Sequence, residues 1–473
     1  MSGNLDPSNP KLERYTTALR NGKPDRVPIR PFVAEFVAKY AGFTCQEVTH
    51  DYHKAIEATC RCAADFDWDA TVPNMVYVWT GLTESVGLRY YGVPGIDVGP
   101  DVGFQYREPA EDEEADMRAD EYDRLIEDPT AFLYEVWFPR VAGDICPAGE
   151  PTTYRHDVAL VRSAMAMLQY FTDLGAGAQR MQEETGTVPA IAGILKAPFD
   201  ILADKFRGYY GLTMDMQAQP EKVLAAAEAL APHLLQVALD SGDPTGQVPV
   251  GLWMHRGCVP FVTPDQFGSH YWPTLKPIIQ ELWGNGMQTL FYAEGDWNAH
   301  LESFAELPAG SIVYHVDRAD ITEAHQVLGE KFCLSGGIPN FVLSYGTPEE
   351  VRECCREIID EVAGDGGYIA DASAIMQNDT REENLRAMTE FVRDYGTYSS
   401  GASSKPPEPS TGGAEGSEGL SAESGAQPGT CVSWEERRAE RGPIPGSEEL
   451  VQRIWEEIDA NAYTFIWHWL VSF

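Results

Sequence analysis

Basic residues are scarce in this chain. Against 73 Asp and Glu stand only 35 Lys and Arg, a formal net charge of -38 at pH 7. So acidic a chain repels phosphates, which argues against nucleic acid and anionic membrane as partners. No stretch of about 18 apolar residues occurs, so no membrane span is expected. The opening MSGNLD has neither a basic patch nor an apolar core, which predicts no secretory signal and a cytoplasmic address. The cysteines number nine, an odd count that argues against a disulfide framework. Cys60-x-Cys62 and Cys354-Cys355 have no second pair at zinc-site spacing and read as reduced packing thiols. A Walker loop, a Gly-x-Gly-x-x-Gly after a strand, a His-Glu-x-x-His and a Gly-x-Ser-x-Gly elbow are all missing.

What is present is a long alternation. Residues 1–398 carry eight short apolar runs, at 26–33, 68–75, 188–195, 247–254, 287–293, 311–316, 331–336 and 366–371. Most lack clean alternation, as parallel strands covered on both faces do. Helical patterns separate them; Thr347-Pro348-Glu349-Glu350 and Thr380 with Glu383 read as helix starts. Repeated strand and helix predict an α/β fold, a (β/α)8 TIM barrel, with an open doubly wound sheet as the alternative. The interval between the second and third strands, about 76–186, is too long for a simple crossover and reads as a helical lid insertion. Residues 399–446 are rich in Gly, Ser, Pro and Glu and read as a disordered, flexible linker. In 447–473, Val451, Ile454, Trp455 and Ile458 have amphipathic helix spacing. That C-terminal helix is expected to dock on the main body or on a partner chain.

In a barrel the reactive groups gather at the carboxyl ends of the strands. Glu294 directly follows the apolar run Leu290-Phe291-Tyr292-Ala293. Lys196 follows the third strand, His255 and Arg256 the fourth, Asp317 and Arg318 the sixth. Asn340 lies after the seventh, and Asp371 and Ser373 follow the eighth. Glu294, His255 and Asp371 are the catalytic candidates. Arg256, Lys196, Tyr292, Asp317, Asn340 and Ser373 are the candidate contacts to a small-molecule substrate. A buried glutamate near His and Arg can serve as acid, base or metal ligand, and the sequence leaves these three open.

Four stretches carry a resemblance: GKPDRVPIRPFV, PDQFGSHYWPTLKPIIQELWGNGMQTLFYAEG, KFCLSGGIPNFVLSYGTPEEV and GGYIADASAIMQNDTREENLRAM. Together they resemble the uroporphyrinogen decarboxylase superfamily over most of 11–398, strongly from 249 and weakly between about 76 and 186. The resemblance implies a (β/α)8 barrel. In its decarboxylases, arginines after strand one hold tetrapyrrole carboxylates and an Asp follows strand two. The matching positions here are Val33, Val37 and 74–76, and a histidine of the last strand turn falls near Ser373. Unpaired substrate carboxylates in a buried pocket are costly, so porphyrinogen chemistry is disfavoured. In the cobalamin-linked methyltransferase branch, zinc sits on a His-x-Cys pair after strand five and a Cys after strand eight. Here the pair reads Tyr292-x-Glu294 and the later position falls near Ser373, so that zinc recipe is not expected.

The leading reading is a divergent member nearer the methyltransferase branch. It would demethylate a small substrate or exchange methyl with a corrinoid protein. Glu294 would polarise or deprotonate, His255 and Arg256 would position an anionic or ether group, and the tail would touch the corrinoid carrier. One rival is a decarboxylase, a lyase on a porphyrinogen or other carboxylated substrate, with Arg256 and Lys196 as anion clamps. Another is a non-catalytic barrel that binds a tetrapyrrole or corrinoid. No cofactor is assigned outright. A divalent metal on Glu294 and His255, a corrinoid (cobalamin) on a partner protein and a homodimer stay open.

Overall fold

The structure is a computed structural model that describes residues 5–72, 80–82, 87–88, 90–109, 114–398 and 427–472. In chain order its strands are β1 (Ala70–Thr71), β2 (Tyr91–Gly92), β3 (Gln105–Tyr106), β4 (Val188–Pro189) and β5 (Ile194–Lys196). There follow β6 (Val250–Met254), β7 (Thr289–Ala293), β8 (Ile312–Val316), β9 (Cys333–Gly336) and β10 (Tyr368–Ile369). β5 to β10 form one six-stranded sheet in sequential order, every pair parallel. β1 pairs in parallel with β4, and β4 and β5 are two halves of the expected third strand. The fold is α/β, with the strand order of a (β/α)8 barrel.

The expected first strand, 26–33, makes no ladder. It joins its neighbours through isolated parallel bridges, Ile29 to Ala370 and Phe32 to Val72. Pro28 and Pro31 supply the reason, since each removes an N–H that a ladder needs. By contrast β7 and β8 are buried at every residue, so a continuous apolar run was the right signature for them. Thr347 closes a capping box with Glu350 at the start of helix Pro348–Val362, as its spacing predicts. The last barrel helix starts differently: it spans Glu382–Tyr395 and has Arg381, not Thr380, as an N-cap without a side-chain bond.

The insertion between β1 and β4 is not purely helical. It contains the antiparallel hairpin β2–β3 and ends with the 32-residue helix Tyr154–Thr185. Its acidic stretch forms no single helix, because Asp128 accepts from the Ala131 N–H and Pro129 starts a new helix there. Positions 74–76, matched above to a decarboxylase aspartate, lie outside the described residues.

The folded tail is longer than expected. Within 399–446, residues 427–446 are described and contain helix Trp434–Arg441, followed by helix Glu448–Val471. The face that docks is not the Val451–Ile454–Trp455–Ile458 spacing, since Ile454 and Ile458 are exposed. Docking is done by the aromatic end. Trp467 is fully buried, stacks on His233 with centroids 4.7 Å apart, and donates from Nε1 to Thr130 Oγ1 at 3.1 Å. Trp469 packs on Phe138 at 5.1 Å, and Tyr134 donates to the Ala462 carbonyl at 2.7 Å. Larger rings remove more apolar area from water than the isoleucines would. His233 lies on helix Pro220–Ser241, which by length and composition could cross a membrane but is packed between the barrel and this tail.

Removing the Trp467 ring therefore leaves a cavity in a packed interface. Trp467→Ala should lower unfolding stability by about 3–5 kcal/mol, read as a drop in the urea midpoint. An unchanged midpoint would mean that the tail contributes nothing to the barrel's stability.

Candidate functional site

One row of the sheet register organises the mouth of the barrel. Lys196 pairs with Trp253, Trp253 with Tyr292, Tyr292 with His315, and His315 with Ser335. Tyr292 stacks on His315 at 4.5 Å, and Phe32 packs on Tyr292 at 4.6 Å and edge-on to Trp253 at 5.5 Å. Side chains two apart on a strand share a face. His255 and Glu294 each stand two residues beyond a member of this row, Trp253 and Tyr292, and so sit above it.

Two carboxylates that the sequence reading missed hold the loop after β6. Asp200 is fully buried and accepts from the His255 N–H at 3.2 Å, the Arg256 N–H at 2.9 Å and the Tyr271 hydroxyl at 2.9 Å. With their backbone fixed, both side chains turn to Asp204. His255 Nδ1 is 2.6 Å from Asp204 Oδ2, Arg256 Nε donates to Oδ1 at 2.9 Å, and Lys196 Nζ to Oδ2 at 3.2 Å. Burial by itself would raise the Asp204 carboxyl, but Lys196, His255 and Arg256 hold it well below the usual range. Asp200 moves the other way, raised first by burial and then by the charge of Asp204. Asp204 lies in a π-helical turn, Leu202–Arg207, that follows helix Pro198–Ile201. Such turns re-aim side chains and recur at functional sites. The available signal was two aspartates four apart, one helical turn, directly after the strand-end Lys196.

The structure brings Glu294 and His255 together: Nε2 and Oε2 are 3.6 Å apart, and both side chains are partly open to solvent. That is too long for a hydrogen bond, so both atoms remain available to a group between them. Gly295 adopts a φ of +96°, and a Cβ there would lie 2.7 Å from Cys258 Sγ. Asp317 accepts from the Gly295 N–H at 2.8 Å, and burial, with Glu294 adding to it, pushes its carboxyl up to about 6.

The remaining candidates fall elsewhere. Lys196 is buried and committed to Asp204. Tyr292 is buried in the barrel interior, its hydroxyl without a hydrogen-bond partner. Asp371 pairs with Arg30 at 3.2 Å inside the barrel, both fully buried, and burial pushes its carboxyl up to about 7 against the pull of Arg30. Ser373 serves through its backbone, its carbonyl 2.9 Å from His315 Nε2. Asn340 braces the last loop, donating to the Ile375 carbonyl and accepting from the Ala374 N–H. Lys196, Asp371 and Asn340 are thus engaged by protein partners and Ser373 through its backbone, while Tyr292 belongs to the row beneath the mouth.

The mouth does not fit a metal by itself. His255 engages Asp204 through Nδ1, which leaves Nε2 and Glu294 as two donors where a catalytic zinc takes three protein ligands. Cys258 is near, but its Sγ faces the His255 carbonyl at 3.4 Å and burial pushes its thiol up to about 12. Among the described residues no group of three or more His, Cys, Asp or Glu is placed to hold a metal.

Comparison with known proteins agrees with this architecture. Residues 129–395 match the family described as uroporphyrinogen decarboxylase (URO-D). A uroporphyrinogen decarboxylase from Ruthia magnifica subsp. Calyptogena magnifica is 26% identical over 76 residues, 16% of this chain and 22% of that protein. The match thus spans about a fifth of the curated relative. A methyltransferase from Methanosarcina mazei superposes with a TM-score of 0.51 over 81% of this chain and 98% of its own, at 14% identity, a likeness of fold.

The raised carboxyl of Asp317 gives a pH signature. Its folded value, about 6 against the usual 3.8, means that the folded protein binds this proton more tightly. The associated stability is fullest below about pH 4 and is lost as pH rises through about 6. Asp317→Asn keeps the acceptor for Gly295 and removes the titration. Its unfolding free energy relative to wild type should rise from pH 4 to pH 7 in denaturant titrations; a constant difference would show that Asp317 does not titrate in this range.

Proposed function

The chain belongs to the uroporphyrinogen decarboxylase family, and we propose that it is an enzyme of corrinoid-linked methyl transfer that demethylates a small substrate. The observation that carries the reading is the order Asp204–His255–Glu294 across the barrel mouth. A buried carboxylate on Nδ1 fixes the imidazole's orientation and tautomer and leaves Nε2 facing the opening. An imidazole held this way, with a carboxylate beside it, suits proton delivery to a leaving oxygen. When the carbon–oxygen bond of a methyl ether breaks, the electron pair stays on oxygen, and His255 supplies the proton that neutralises it. Solvent at the open mouth returns the proton to Nε2 for the next turnover, with the Glu294 carboxylate beside it to favour the imidazolium. A corrinoid on a partner protein supplies the methyl acceptor. The β2–β3 hairpin is anchored at the site: Tyr90 and Tyr106 both donate to the Asp204 carbonyl at 2.9 Å, which ties the insertion to the mouth.

A decarboxylase reading draws less support. Val33 and Val37, at the positions where the family resemblance implies arginines, are buried aliphatic side chains. Lys196, the other candidate anion clamp, is committed to Asp204.

The test is methyl movement between candidate methyl ethers and cobalamin, followed by the cobalt absorption bands. His255→Gln and Glu294→Gln should each lower turnover by about 10²–10⁴ while the melting temperature holds. Release of carbon dioxide without methyl movement would replace the proposal with a lyase. Unchanged turnover in Glu294→Gln would remove that residue from the chemistry.

A further inference from the structure

Arg256 has an inner and an outer side. Nε is held by Asp204, which is nearly fully buried, and Nη2 donates to Glu108 Oε2 at 2.8 Å, where Glu108 is 36% exposed. The second oxygen of Glu108 accepts from the Tyr209 N–H at 2.5 Å, in the first turn of helix Gly208–Ala218. One carboxylate therefore fills a seat with two donors, a guanidinium nitrogen and a backbone N–H. Two rings wall this seat. The Arg256 guanidinium carbon is 5.0 Å from the Phe261 centroid and 5.9 Å from that of Tyr209, and the rings meet edge-on at 4.9 Å.

We propose that Glu108 is an internal stand-in for a carboxylate of the substrate, and that this enzyme's substrates are small carboxylates with an apolar or aromatic body. The proposal rests on reading this mouth as the active site and supplies the substrate class that the reading lacks. Three features support it. The seat is carboxylate-shaped, since both oxygens of the present occupant are bonded. Exchange is charge-neutral: one carboxylate leaves Arg256 as another arrives, and Asp204 keeps the guanidinium aimed throughout. The departing group is the cheap one to move, because a partly exposed ion pair is weak and Glu108 is rehydrated as it turns outward. The buried Lys196–Asp204 pair has no such exit. Glu108 stands two residues beyond β3, so its departure also loosens the hairpin that covers the mouth.

Calorimetric titration of the full chain with benzoate tests this, with benzamide as the neutral isostere. Benzoate should bind wild type at about millimolar strength and benzamide much more weakly. Glu108→Gln and Glu108→Ala should each tighten benzoate about two- to fivefold, as the internal competitor is removed. Hydrogen exchange of amides 90–109 should quicken in wild type on addition of benzoate. Equal affinity in wild type and both variants would overturn the proposal. So would benzamide binding as well as benzoate, or no benzoate binding in any of the three proteins. These readouts involve no turnover, so a failure of methyl transfer leaves them standing, and their failure leaves the acid–base reading of His255 and Glu294 standing.

Discussion

The mouth of this barrel depends on one buried negative charge. Asp204 is removed from water and compensated by three donors that arrive from two different strand ends, Lys196 from β5 and His255 and Arg256 from beyond β6. An isolated buried carboxylate would cost several kcal/mol, so its partners are obliged to stay. That obligation makes His255 a directed group instead of a floppy one. Asp200 adds the second constraint, because it fixes the backbone from which His255 and Arg256 project.

Below this charged layer lies an aromatic and polar floor. The register row through Trp253, Tyr292, His315 and Ser335 closes the barrel interior, and Arg30 with Asp371 forms a fully buried pair beside it. A barrel interior is mostly aliphatic. Arg30 Nη2, His315 and Ser335 bond to one another, while Arg30 Nε and Nη1 and the Tyr292 hydroxyl have no hydrogen-bond partner. The reactive-looking residues thus divide into two sets, an inner one committed to the fold and an outer one, His255, Glu294 and Arg256, partly open to solvent.

The parts outside the barrel act on the same mouth or on its support. The hairpin β2–β3 reaches Asp204 through two tyrosine hydroxyls and Arg256 through Glu108. The tail does not reach the mouth by any of these contacts. It clamps helix Pro220–Ser241 and the segment at 133–141 through Trp467, Trp469 and Phe465, which ties the insertion to the barrel wall.

By itself the sequence determined the alternation of strands and helices, the strand-end placement of Glu294 and His255, and the cap at Thr347. All of these follow from local periodicity and from side-chain chemistry within a few residues. It also carried the Asp200–Asp204 spacing, but nothing local marks two aspartates on an apolar helix as a hub. Only the tertiary structure decided that Lys196 and Asp371 are committed inward while Arg256 keeps an outer face, and that the tail docks by its tryptophans. Those outcomes turn on which charges and rings are desolvated together. Burial is set by segments as far apart as residues 108 and 256, or 130 and 467, which no window along the chain brings side by side.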